Sequence, residues 1–304
     1  MSLQDAMRDA CKVVGIDPPS RHLAPGQSAR TRVDGKRAIN KSGSVMINPD
    51  GVSGVATNFA TGQSARFTDK GAAGATQAPR RNPELDRQRE AERIEVIRAC
   101  ERIVRACAPD VHPYLVGKGF PEEVGLVIDD PRPFLPEGRL GERIAAALPE
   151  AEGPLLIIPG RIGKTITTVQ FIAHDGTKKN ILGGKMLGAS HRIATGREIW
   201  ACEGIATAMS VRAALRLLGR SATVLCAFSA NNVASIAQSM AGVIIAADHD
   251  KPVDTFGGLG TGEYYARKSG ARWIMPTSMG DFNDMHQAEG LRAVALALRE
   301  VAAG

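Results

Sequence analysis

The chain has 304 residues, 43% of them apolar and only 4% aromatic, with a formal net charge of +6. This supports one or two globular domains with aliphatic cores, and a moderately basic surface compatible with a polyanionic partner. The five cysteines form no C-x-x-C pair and the apolar runs reach only about seven residues, which argues against a zinc ribbon, a disulfide framework and a membrane span.

The opening stretch MSLQDAMRDACKVVG has neither the basic start nor the long apolar run of a secretory signal. Reduced thiols suit the cytoplasm, which is the expected compartment. Residues 1–69 are rich in Gly, Ser, Asn and Thr, with short extended pieces such as GSVMINPDG and GVATNFATG. They predict a small β-rich module with tight turns. Residues 70–84, KGAAGATQAPRRNPE, carry small residues and prolines without an apolar period, and are expected to be a linker.

A helix is predicted from Leu85 to Ala108, with Ile94, Ile97, Cys100, Val104 and Cys107 as its apolar face. Pro109 stops it. Strands and turns follow to residue 197, and residues 85–197 are expected to form an α+β subdomain. From 198 to 304 the rhythm changes. EIWAC, ATVLCAF, GVIIAA and ARWIM read as buried strands separated by helices, the helix NNVASIAQSM capped by an Asn and NDMHQAEGLRAVALALREVAA closing the chain as one helix. Alternating apolar strands and helices predict an α/β domain: a parallel sheet with helices on both faces.

In such a sheet, ligands bind beyond the carboxyl ends of the strands. Glu203 follows the first strand, Asp248 and Asp250 the third, and Asp281 and Asp284 the fourth. Carboxylates gathered on one rim repel one another and need protons or cations to coexist. Mg2+ prefers oxygen ligands and keeps several waters, so a few carboxylates plus substrate phosphates suffice for it. Singly, each residue has a plainer role: a solvated turn for the aspartate pair, a helix-start carboxylate for Glu203, an N-cap for Asp281. Their joint placement points to a metal site.

CEGIATAMSV followed by AADHDKP resembles the Toprim domain of bacterial-type primases, topoisomerases and some nucleases, whose hallmarks are a Glu-Gly after the first strand and an Asp-x-Asp after a later one. HPYLVGKGF (112–120), DGTKKNILGGKMLGASHRI (175–193) and GDFND are similar to segments of primase cores, and the likeness is greatest to Toprim primases of phages and plasmids. The resemblance implies a Toprim-like sheet preceded by a smaller α+β subdomain and the β-rich module. It implies a nucleotidyltransferase that makes short RNA primers on a single-stranded DNA template from ribonucleoside triphosphates. Glu203, Asp248 and Asp250 would be catalytic and would bind Mg2+ (or Mn2+) with Asp281 and Asp284, while Lys118, Lys178, Lys179, Lys185 and Arg192 would face nucleotide or nucleic acid. A separate replicative helicase is a possible partner; no zinc and no membrane are expected. One departure is Thr207, where primases of the replicative type carry another acidic residue. It keeps a Toprim nuclease and an inactive nucleic-acid-binding accessory protein as alternatives.

Two motifs are set aside. GRIGKTITT has Ile158 where a P-loop needs its first glycine, and reads as a turn between strands. GGLGTG lacks the strand that opens a dinucleotide fingerprint and is expected to start a helix. His249, between the two aspartates, should point away from both and is given no catalytic role.

Overall fold

The structure, a computed structural model, describes residues 2–35, 40–69, 83–150 and 152–302. The linker expected at 70–84 lies outside the described residues except for its last two. The chain divides into two compact units, Met1–Pro83 with Val253–Gly258, and Glu84–Pro252 with Leu259–Gly304.

The first unit begins with a helix the sequence reading missed, α1 (Leu3–Val14). Ser2 and Asp5 form a reciprocal capping box at its start, and Gly15, at φ 67°, closes it in the left-handed conformation. Its buried positions, Ala6, Ala10, Cys11 and Val14, are small, so their period carries little hydrophobic weight in the sequence. Four antiparallel strands follow in spatial order: β1 (Ser28–Thr31), β2 (Gly43–Ile47), β3 (Ser53–Asn58) and β4 (Gln63–Thr68). Strand side chains alternate between faces, and one face packs Val45, Ile47, Ala56 and Phe67 against α1.

The second unit holds two sheets. The first is antiparallel, with β5 (Ala108–Val111), β6 (Val124–Ile128), β7 (Leu155–Ile162), β8 (Thr165–Ile172) and β9 (Lys178–Asn180) in spatial order. Helices α2 (Pro83–Ala106), α3 (Pro113–Gly117) and α4 (Gly138–Ala145) accompany it. The buried face of α2 is Val96, Ala99, Cys100 and Ile103, whereas Ile94 is exposed. This face is rotated from the expected one because Ile157, Val169 and Phe171 of the sheet meet the Val96–Cys100–Ile103 stripe. GRIGKTITT is the β7–β8 hairpin, turning at Gly163 with φ 61°.

The second sheet is the α/β one. It comprises β10 (His191–Ala194), β11 (Glu198–Cys202), β12 (Ala222–Cys226), β13 (Val243–Ala246) and β14 (Arg272–Ile274), in the order β10-β12-β11-β13-β14. The last four in chain order are parallel. β10 runs antiparallel along the edge of β12, an addition the short half-exposed HRIA segment did not announce. Trp200, Cys202, Val224, Cys226, Ile244 and Ala246 face α5 (Ile205–Leu217), α8 (Phe282–Glu289) and α9 (Leu291–Ala302). Ala201, Leu225 and Ile245 face α6 (Ala230–Ser239) and α7 (Thr261–Ser269). Helices therefore cover both faces, as the α/β reading requires.

Two local expectations are corrected. Ser229, not an Asn, caps α6 by accepting the Asn232 N–H. Asn232 is instead buried, with its amide donating to the carbonyls of Ala189 and Ala227 at 2.8 Å. The final helix is two helices, because Gly290 takes φ 84° between α8 and α9. Among the described residues no helix is long and apolar enough to cross a membrane.

Candidate metal and nucleotide site

Parallel strands β11 and β13 lie side by side in register, Cys202 opposite Ala246. The residues that leave their carboxyl ends, Glu203 and Asp248, therefore emerge together. Glu203 enters a tight turn into α5 at Gly204, and its carbonyl accepts the Phe228 N–H at 2.8 Å. Phe228 holds this position at φ 69°, the one described non-glycine residue with positive φ. Such a conformation is costly for a bulky side chain and is kept only where its surroundings enforce it.

Asp248, His249 and Asp250 leave β13, and His249 forms an antiparallel bridge with Gly280 through two backbone hydrogen bonds of 2.9 and 3.0 Å. This bridge brings Asp281 alongside the aspartate pair. The His249 ring turns away, with Nδ1 3.0 Å from the Pro276 carbonyl oxygen. From the other side, the Gly262 N–H donates to Oδ2 of Asp250 at 2.8 Å, at the start of α7. GGLGTG thus opens a helix against the aspartates. A Cβ on Gly262 would stand 2.3 Å from the Asp248 carbonyl oxygen, and one on Gly260 2.6 Å from that of Asp250.

The electrostatics record the convergence. Burial, then Glu203, Asp281 and Asp250, push the Asp248 carboxyl well above the usual carboxylate range, with Lys178 opposing. Burial and then Asp250 raise Glu203 to about 7, while Lys178 and the Ala230 amide pull it back and Asp281 adds to the rise. Like charges brought together in a partly desolvated place favour their protonated forms. Among the described residues none of these four carboxylates is in a salt bridge. Oδ1 of Asp248 is buried without a hydrogen-bond partner.

Asp281 serves two purposes at once. Its Oδ1 accepts the N–H groups of Asn283 and Asp284 at 2.6 and 3.0 Å, capping α8, while its charge acts on Glu203 and Asp248. Asp284 is placed differently. It is exposed, its Oδ2 takes the Asp281 N–H at 3.1 Å in the same capping box, and its Oδ1 lies 4.0 Å from Lys118 Nζ.

The basic residues separate in the same way. Lys178 crosses from β9 to the cluster, with its ammonium 5.2 Å from the Tyr114 ring centroid and 3.9 Å from where a Cβ on Gly204 would sit. Lys118 reaches Asp284. Lys179, Lys185 and Arg192 are exposed, and among the described residues they make no ion pair. Thr207 is fully buried on the first turn of α5, and its hydroxyl has no hydrogen-bond partner.

Among the described residues no three His, Cys, Asp or Glu side chains close into a metal-binding group. The donor chemistry nonetheless fits a hard cation: all-oxygen, multiply charged, and with one buried oxygen unpartnered. Residues 198–292 match the family model of the Toprim domain. Among solved structures, the primase fragment of the bacteriophage T7 primase-helicase protein aligns with 52% of this chain and 70% of its own, at 14% identity and a TM-score of 0.37.

Proposed function

We propose, from a carboxyl-terminal region that is a Toprim domain, that this chain is a primase-type nucleotidyltransferase. It would synthesise short RNA primers on single-stranded DNA in the cytoplasm, alongside a separate replicative helicase. In the reaction, a 3′-hydroxyl attacks the α-phosphate of a ribonucleoside triphosphate and pyrophosphate leaves. The observation that carries this reading is the gathering of Glu203, Asp250 and Asp281 around the half-buried Asp248 carboxylate, one oxygen of which is unpartnered.

Glu203, Asp248, Asp250 and Asp281 would hold Mg2+, which neutralises triphosphate charge and eases deprotonation of an attacking hydroxyl. Asp284 would stay at the rim, in the α8 cap. The α7 N-terminus fixes the Asp250 carboxylate through Gly262, so that this oxygen needs no reorganisation when substrate binds. Lys178, a basic side chain that acts on both Glu203 and Asp248, would meet the triphosphate. Lys179, Lys185 and Arg192 would meet the nucleic-acid backbone, where charge rather than geometry governs affinity.

The test is incubation with a single-stranded template, Mg2+ and labelled ribonucleotides. Short labelled RNA supports the reading. Shortening of the template without synthesis would replace it with a nuclease, and salt-sensitive binding with neither product would replace it with an accessory protein. Thr207, standing where an acidic residue is usual, gives the last outcome its physical basis.

A further inference from the structure

The four-stranded sheet of the first unit has one face on α1, and the opposite face carries side chains that are exposed or only partly buried. Pairing places Arg30, Ser44, Thr57 and Ser64 in one row across that opposite face, and Ser28, Met46, Val55 and Arg66 in the next. Neither row contains a carboxylate. Asp50, in the β2–β3 turn, is engaged with Ser53. Among the described residues Arg30 and Arg66 form no ion pair, and both are exposed.

Phe59 follows β3 on the same face and is 57% exposed, with the Arg30 guanidinium 4.5 Å from its ring centroid. An exposed phenylalanine carrying an arginine plane, on a hydroxyl-lined sheet free of acidic groups, combines the elements that hold unpaired bases: a stacking surface, a cation for phosphate and short hydrogen-bonding side chains. A protein partner would call for a broader apolar centre than Met46 and Val55 supply.

We propose that this sheet face binds single-stranded nucleic acid, with a base stacked at Phe59–Arg30 and phosphates met by Arg30 and Arg66. It rests on the reading above only for its biological purpose, as a template site; the binding itself stands on the sheet.

The experiment uses the full chain with fluorescent single-stranded DNA in EDTA, read by anisotropy across a salt series, so that binding is measured without synthesis. The variant Phe59→Ala/Arg30→Ser/Arg66→Ser is expected to bind about tenfold or more weakly. Its log–log salt slope should be shallower by about 1.4, for two lost phosphate contacts. Phe59→Trp should keep the affinity and show tryptophan quenching on DNA addition, which guards against a triple variant that fails to fold. Unchanged affinity in the triple variant, no quenching in Phe59→Trp, or no binding by the parent chain would each overturn the proposal. A variant that changes only the oligomeric state in light scattering would overturn it too, and would make the face a self-association surface. A parent chain that binds through this face but yields no RNA in the priming assay would remove the primase reading and leave this inference standing.

Discussion

The Gly262 N–H donates to Oδ2 of Asp250 at 2.8 Å, and no side chain fits at Gly262, because its Cβ would lie 2.3 Å from the Asp248 carbonyl oxygen. The glycine thus acts through close approach of two backbones. Gly262→Ala is expected to push α7 away from the aspartate pair, destabilising the chain by about 1–3 kcal/mol. Nucleotidyl transfer should fall at least tenfold. Thermal melting and the priming assay, run on the same preparation, check both.

Replacing site carboxylates by amides should separate stability from activity. Asp248→Asn removes the cost of burying and protonating a carboxyl that the folded chain holds well above its usual range, so the metal-free protein should melt a few degrees higher while synthesis is lost. Glu203→Gln should behave likewise. Retained synthesis in both variants would remove these residues from the reaction.

A pH dependence follows from the same charges. Glu203, raised from 4.5 to about 7, keeps its proton in the folded chain where the unfolded chain has lost it, and Asp248 is shifted in the same direction. The folded state then binds more protons in that window, so metal-free stability falls as pH rises through it, and Glu203 adds no further change above about 7. Calorimetry in EDTA should show the melting temperature declining from about pH 5 to 7.5, and Mg2+ should restore more stability at the upper end than at the lower. A metal-free melting temperature that rises across this range would contradict the assignment.

The basic residues should differ in kind. Lys178→Ala is expected to raise KM for ribonucleotide severalfold or more, since it removes an ammonium that acts on both Glu203 and Asp248. Lys179→Ala, Lys185→Ala and Arg192→Ala should instead weaken template binding and make its salt dependence shallower. Steady-state kinetics with nucleotide and template varied separately distinguish the two patterns.

Asp281 and Asp284 should separate as well. Asp281→Ala loses a cap and a site charge, costing about 1 kcal/mol of stability along with most activity. Asp284→Asn keeps an oxygen for the Asp281 N–H and should leave most activity, because its carboxylate faces Lys118 rather than the cluster. Equal losses of activity in the two variants would place Asp284 in the site.

The α/β rhythm from residue 198, the strand-end positions of the acidic residues and the hairpin nature of GRIGKTITT were all legible, because each depends on apolar period, turn residues or spacing over a few positions. The face of α2 was misread by a fraction of a turn. Its apolar residues extend beyond the stripe that the sheet covers, and which of them are buried is set by Ile157, Val169 and Phe171 on strands far along the chain. Helix α1 escaped notice because alanine and cysteine mark a buried face only weakly.

Sequence by itself determined which carboxylates reach the sheet rim, since strand ends are local features. Tertiary structure alone decided how they divide. The His249–Gly280 bridge brings Asp281 to Asp248 and Asp250, the adjacency of β11 and β13 brings Glu203, and β9 of the other sheet delivers Lys178, whereas a local capping box and Lys118 engage Asp284. The reason is physical: charge–charge interaction depends on separation in space and on desolvation, and neither quantity follows from distance along the chain.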